Sequence, residues 1–291
     1  MKAYIKPNFS SRAVDRVVKA LTQYAPPEVQ MVESEDEADL IVLHINGRRN
    51  SFEKKASKIM DAGKKYAVVQ YAIRSTKNPH TRDWHYIWEL AELVWSYYDI
   101  PLLLKQDDTL NLIDFYHAPL GVDPEVFKIT NRSPENRYLT GVCGQSYLTE
   151  STREVVMATK EAQGRVFFWG SELHYIKNVF NLNNISDDIL AYYLNQCAYV
   201  SGLRRVEGFK LPAIEGLLCG ARPIMFDKPH YRQWFDGLAV FIPEGTREDV
   251  IQSLVALFKE PYTPVTKDEI DIAKERFNWQ NIVAGFWQKL L

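Results

Sequence analysis

With 291 residues, 46% hydrophobic and 25% charged, the chain is long enough for about two domains, each with its own core. A net charge of −2 argues against a general polycation, so an anionic partner has to be met by a local patch. The three cysteines, Cys143, Cys197 and Cys219, are widely separated and form no Cys-x-x-Cys pair. That argues against a disulfide framework and a structural zinc site, and they read as small apolar filler in a reducing compartment.

The first residues lack the apolar core of a signal peptide, and no run of about 18 apolar residues occurs. The expectation is a cytoplasmic chain without a transmembrane segment. In the first half, strand-length apolar runs alternate with helical patterns. Ala3–Ile5 predicts a strand. Ser10 or Ser11 caps a helix with apolar positions Val14, Val17, Val18 and Leu21. Val29–Val32 is a short strand. Asp39–Ile45 is a continuous apolar run of the kind found in buried parallel strands. Phe52–Ala62 predicts a helix ending at Gly63, Tyr66–Tyr71 a buried strand, Trp84–Tyr97 an aromatic-rich helix, and Pro101–Leu104 and Leu112–Tyr116 further strands.

The polar stretch Asn131–Asn136 reads as a linker, after which the alternation restarts. Strands are predicted at Tyr138–Cys143, Val166–Trp169, Ala198–Ser201, Arg222–Phe226 and Phe241–Ile242. Helices are predicted at Ser151–Gln163, Asp187–Asn195, Leu211–Leu218 and Asp249–Phe258. The tail from Phe277 to Leu291 is amphipathic, with Trp279, Ile282, Phe286 and Leu290 on one side. Strand–helix alternation implies two α/β domains with parallel sheets. Residues 1–130 form the first and 131–275 the second, with 276–291 a closing helix. Ligands of such sheets bind outside the carboxyl ends of the strands.

The richest stretch runs from Arg204 to Ile224, Arg-Arg-Val-Glu-Gly-Phe-Lys-Leu-Pro-Ala-Ile-Glu-Gly-Leu-Leu-Cys-Gly-Ala-Arg-Pro-Ile. It is a loop feeding a helix: Gly208 permits close backbone approach, Pro212 suits the first turn and Gly220 the C-cap. The N-terminus of that helix presents free N–H groups and a positive dipole end, which favour an anion. Arg204, Arg205 and Lys210 stand beside it and suit a diphosphate. The two arginines are adjacent and face opposite ways in an extended segment, so one reaches phosphate and the other makes a salt bridge. Carboxylates beside an anion site need hydroxyl donors, and Glu207 and Glu215 would find them on ribose and sugar.

This stretch resembles the E-x7-E signature of the retaining family 4 (group 1) glycosyltransferases. These have the GT-B fold, two Rossmann-like domains facing across a cleft. Glu207 and Glu215 match its two glutamates, with Gly208-Phe209 and Leu211-Pro212 between them. Lys210 stands where the family usually has glycine. Pro119-Leu-Gly-Val-Asp123, Gly141-Val-Cys-Gly-Gln145 and Phe277-Asn-Trp279 resemble the family's interdomain segment, its glycine turn near the donor phosphates and the start of its last helix, which implies that 276–291 packs back on the first domain. The resemblance covers roughly residues 117–291. It implies that Glu207 contacts the donor hexose, that Glu215 binds the ribose, and that the backbone of Phe209–Leu211 touches sugar and phosphate. It also implies Gly144 and Gln145 beside the phosphates, no bound metal, and a UDP- or GDP-linked hexose as co-substrate.

Two features of the first half bear on the acceptor. His44 ends a buried strand, as either a satisfied core histidine or the cleft histidine that the family often places near the sugar. In an inverting route it would be the base. Positive charge is concentrated between Gly47 and Arg82, with Arg48, Arg49, Arg74 and Lys77 just after strand ends. That cluster is either a solvated face or a site for an anionic acceptor, a glycan or DNA with a hydroxylated base. For DNA, phosphate contacts supply affinity, and Trp84, His85 or Tyr71 stack on an extruded base. A nucleotide-binding module without catalysis is the alternative of a different class. A dehydrogenase is disfavoured by the lack of Gly-x-Gly-x-x-Gly after the first strand.

Overall fold

The structure, a computed structural model, describes residues 1–6, 11–45, 50–72, 84–100, 113–130, 137–144, 151–170, 178–205 and 209–291. It divides into a first unit, Met1–Leu120 with Trp279–Leu291, and a second, Gly121–Asn278.

The first unit holds β1 (Lys2–Lys6), β2 (Gln30–Met31), β3 (Leu40–Ile45), β4 (Lys65–Gln70), β5 (Leu93–Ser96) and β6 (Phe115–His117). All pair in parallel, in the order β2-β1-β3-β4-β5-β6. Every residue of β3 is buried, which is why its sequence is an unbroken apolar run. Helix α1 (Arg12–Gln23) starts at Ser11, whose Oγ accepts from the Val14 amide at 3.3 Å, and it buries Val14, Val17, Ala20 and Leu21. Helix α2 spans Asn50–Asp61.

The aromatic-rich helix predicted over Trp84–Tyr97 is not formed as such. Helix α3 covers only His85–Glu89, and Leu93–Ser96 becomes β5, pairing with β4 at Ala67↔Leu93. Leu93, Val94 and Trp95 are fully buried on both sides of the sheet. A run buried all round satisfies helical and strand patterns equally, so tertiary burial decides. The strand expected at Pro101–Leu104 lies outside the described residues.

The second unit runs β7 (Tyr138–Gly144), α4 (Thr152–Glu161), β8 (Val166–Gly170), β9 (Val179–Leu182), α5 (Asp187–Leu194), β10 (Cys197–Ser201), α6 (Leu211–Leu218), β11 (Arg222–Phe226), α7 (Pro229–Phe235), β12 (Val240–Ile242), α8 (Arg247–Lys259) and α9 (Lys267–Arg276). Its sheet is also parallel, in the order β12-β11-β10-β7-β8-β9. Helix α6 lies close on β10, because a Cβ on Gly216 would come within 2.4 Å of Val200. Phe167 stacks on Tyr193 at 4.7 Å, joining β8 to α5. The Arg222 guanidinium grips Glu269 at 2.8 and 3.0 Å and so ties β11 to α9.

Strand β9, α7 and α9 are absent from the sequence-based expectation. All four residues of β9 are only half-buried, and it is an edge strand, so its apolar signal is weak. Helix α9 buries only Ala273, but its start carries a legible capping box, Thr266 with Glu269.

The last helix, α10 (Trp279–Gln288), belongs to the first unit. Its buried side chains are Trp279, Ile282, Val283, Phe286 and Trp287. Phe286 packs on Trp95 at 5.6 Å. Tyr116 Oη donates to Ile282 O at 2.7 Å and Trp287 Nε1 to Leu21 O at 3.2 Å. Among the described residues no helix is long and apolar enough to cross a membrane. Phe286→Ala should destabilise the chain by about 3–5 kcal/mol in denaturant unfolding, with Phe286→Leu much milder. A loss under about 1 kcal/mol for the alanine variant would show that α10 contributes little to this core.

Candidate functional site

In the second unit the chain leaves β7 toward β8 and β9 on one side and fills the other side with β10, β11 and β12. The direction of winding reverses between β7 and β10, which pair at Gly141↔Val200 and Val142↔Ser201. Such a reversal leaves a crevice outside the carboxyl ends of the two strands, where open α/β sheets bind ligands. Gly144 ends one of these strands and Ser201 the other. The strand ends are tightly apposed: a Cβ on Gly170, at the end of β8, would meet Gly144 O at 2.2 Å, and one on Gly144 would meet Thr152 Oγ1 at 2.8 Å.

From β10 the chain passes through Arg204 and Arg205 and then enters α6. Lys210 is the N-cap residue without a side-chain capping bond, and Pro212 lies in the first turn. The opening N–H groups of α6 therefore lack a side-chain cap from that residue. Phe209 fixes the approach, packing on Phe235 at 5.7 Å and on Phe277 at 6.0 Å. Leu211 is buried and Pro212 partly so. Lys210 and Glu215 are 5% and 1% exposed, so two charged groups of opposite sign are held out of water around the first turns of α6. The structure does not describe Gln145, Glu207 or Gly208.

Arg205 takes the ion-pair role, with Nη1 3.1 Å from Gly245 O and 3.5 Å from Glu244 Oε1, and Nη2 3.7 Å from Glu154 Oε1. Its guanidinium also lies over Phe226 at 5.2 Å. Lys228 Nζ bonds Glu244 at 2.7 Å and donates to Arg205 O at 3.0 Å, while Tyr231 Oη donates to Arg204 O at 3.0 Å. Groups following β11 and β12 thus clamp the backbone just before residue 207. Lys228, Tyr231, Glu154 and Glu244 carry no sequence signature for this role, since their only common feature is position after a strand end.

In the first unit the winding reverses between β1 and β3. Lys6, at the end of β1, pairs with Glu35. Burial, with Lys55 and Lys58 nearby, pulls its ammonium below the usual lysine range. His44, near the end of β3, is fully buried. Its Nδ1 lies 2.8 Å from Tyr71 Oη and the two rings are stacked. Burial pushes the imidazole down to about 3, so it is neutral near pH 7. Burial, assisted by Asp15, holds the Tyr71 phenol protonated well above its ordinary range. Nε2 of His44 is buried without a hydrogen-bond partner. A neutral imidazole with so low a pKa is a hydrogen-bonding group and a poor general base. Trp84 and Tyr71 are buried, so neither offers a face for stacking on a base. Arg48, Arg49, Arg74 and Lys77 lie outside the described residues.

No protein-family model and no curated protein sequence matches this chain. Solved structures do match its fold over nearly its whole length. HepE of Anabaena, solved in complex with UDP and glucose, has a TM-score of 0.74 at 12% identity, over 99% of this chain and 98% of that one. A sucrose-phosphate synthase from Thermosynechococcus elongatus has a TM-score of 0.74 at 12% identity, over 99% and 97% of the two chains. A UDP-forming trehalose-phosphate synthase from Burkholderia vietnamiensis has a TM-score of 0.66 at 11% identity, over 95% and 76%. The fold is GT-B, built of two Rossmann-like α/β units.

Because His44 titrates near 3 when folded and near 6.5 when unfolded, its protonation favours the unfolded chain. Its contribution is fully present above pH 6.5 and is lost as pH falls from there toward 3, by at most about 1.4 kcal/mol per pH unit. His44→Gln should flatten the fall in unfolding free energy measured between about pH 6.5 and pH 5. An unchanged slope would show that His44 titrates normally.

Proposed function

We propose that this protein is a glycosyltransferase of the family 4 type, moving a hexose from a UDP- or GDP-linked donor to an acceptor hydroxyl with retention of configuration. The observation that carries the reading is the E-x7-E segment entering α6 from β10, at the reversal point of the second sheet of a GT-B fold. The UDP found with HepE and the UDP-forming trehalose-phosphate synthase among the structural neighbours favour a UDP-linked donor.

In this reading Glu207 contacts the hexose, Glu215 the ribose, and the backbone of Phe209–Leu211 the sugar and phosphate. Gly144 and Gln145 approach the phosphates from β7. As the bond from the anomeric carbon to the phosphate oxygen breaks, its electron pair leaves with the nucleoside diphosphate. Arg204, Lys210 and the N-terminus of α6 stabilise that charge, which is preorganised electrostatic catalysis. The acceptor oxygen bonds the anomeric carbon from the same face and passes its proton to the departing diphosphate. No enzyme base is then needed, in keeping with the low basicity of His44. Arg48, Arg49, Arg74 and Lys77 suit an anionic acceptor, a glycan or DNA with a hydroxylated base. Protein cations and helix dipoles supply the positive charge, so no metal is required.

Release of nucleoside diphosphate from UDP-glucose tests this. Glu207→Ala and Glu215→Ala should each lower turnover by about ten- to a hundredfold, the loss of a charge-assisted hydrogen bond, and a chelator should leave the wild-type rate unchanged. Full turnover in both variants would overturn the site assignment, and loss of activity on chelation would overturn the metal-free mechanism.

A further inference from the structure

The short helix α7 (Pro229–Phe235) touches the chain on both sides of residues 206–208, within the connection from β10 to α6. Before that stretch, Lys228, the N-cap residue of α7, donates to Arg205 O, and Tyr231 Oη donates to Arg204 O, each at 3.0 Å. After it, Phe235 at the other end of the helix packs on Phe209, with ring centroids 5.7 Å apart. Tyr231 and Phe235 are fully buried. The helix is itself braced by the end of α9: Phe235 packs on Phe277 at 5.6 Å, and Arg276 Nη1 donates to Trp234 O at 2.6 Å.

Lys228 is the informative member of this set. Its side chain is 17% exposed, and its ammonium meets Glu244 Oε2 at 2.7 Å and Arg205 O at 3.0 Å, 5.7 Å from the centre of the Phe226 ring. Taking an ammonium out of water is costly, and an apolar side chain of similar length would fill the same space without that cost. Glu244 does not depend on the lysine, because it is 31% exposed and Arg205 Nη1 reaches its other oxygen at 3.5 Å. The distinct contribution of the ammonium is its bond to Arg205 O. The Arg205 guanidinium is held by Gly245 O at 3.1 Å and by Glu154 at 3.7 Å. Arg205 is therefore fixed at its side chain and at its carbonyl, which sets the direction in which the chain leaves it.

We propose that Lys228, supported by Tyr231 and Phe235, is a positioning residue for donor binding, orienting the connection from β10 to α6 so that Glu207 and the start of α6 are presented to the nucleotide sugar. The inference rests on the donor-site reading of that connection for its ligand, but the fixing of the backbone by Lys228 does not. Neither Lys228 nor Tyr231 touches the donor. Both act on affinity and turnover through the segment they hold.

The experiment pairs two readouts on the full chain. Hydrogen–deuterium exchange without ligand follows peptides covering residues 203–211, and titration calorimetry with UDP is combined with UDP release from UDP-glucose. The variants are Lys228→Met, which keeps the length and removes the donor, Lys228→Arg, which keeps a charged donor, and Tyr231→Phe, which removes only a hydroxyl. Lys228→Met should melt close to wild type, since a buried ion pair adds little net stability. It should raise exchange in 203–211 and not elsewhere in the second unit. It should also bind UDP about tenfold more weakly, the effect of one hydrogen bond from a charged group. Tyr231→Phe should act in the same direction and more weakly, and Lys228→Arg should restore both readouts. Unchanged exchange in Lys228→Met, a rise spread over the whole unit, or a local rise with wild-type UDP affinity and turnover would each overturn the proposal. A local rise in exchange, with no nucleotide or nucleotide sugar bound by wild type, would uphold the fixing of the segment by Lys228 and overturn the transferase reading.

Discussion

The reversal of winding between β7 and β10 is the constraint on which the second unit depends. A purely parallel sheet exposes the carboxyl ends of all its strands on one edge, and only where the chain changes direction do two adjacent strand ends diverge to leave a crevice. At this reversal the chain has placed Gly144, the entrance to α4, the Arg204–Arg205 segment and the entrance to α6. Two helices therefore start after neighbouring strands, and neither N-cap residue makes a side-chain capping bond, so two positive dipole ends follow the carboxyl ends of β7 and β10. Without a side chain on Gly144 and Gly170 the strand ends approach to distances that any Cβ would forbid.

The charged residues around that corner are largely committed to each other. Arg205, Lys228, Glu244, Glu154 and Arg247 form a connected set, partly buried, where one broken member leaves the others uncompensated. Its clearest structural effect is on the backbone: Lys228 and Tyr231 hold the carbonyls of Arg205 and Arg204, fixing the stretch that leads to residue 207. The first unit shows a different economy of charge, with His44 kept neutral by burial and oriented by Tyr71.

Much of this architecture is legible in the sequence, for identifiable reasons. Buried parallel strands such as Leu40–Ile45 and Arg222–Phe226 announce themselves as apolar runs, and α6 is bounded by Pro212 and Gly220. The alternation implies two parallel α/β units, and the resemblance of the Glu207–Glu215 segment to the family 4 glycosyltransferases implies the GT-B fold that the structure has. The run from Trp84 to Tyr97 misleads because a segment buried on all sides carries no period. Strand β9 is missed because an edge strand with half-buried residues carries little apolar signal. In the candidate site, the ion pairs of Arg205 depend on Glu154 and Glu244, 51 and 39 positions away in sequence, so no local pattern announces them.

Binding of a nucleoside diphosphate sugar by the second unit, at the β7–β10 reversal, is tested most directly by titration calorimetry of the full chain against UDP, GDP, ADP and their glucose conjugates. One base should be bound selectively, with the diphosphate and its sugar conjugate competing for a single site. Absence of binding by every nucleotide and conjugate would contradict it.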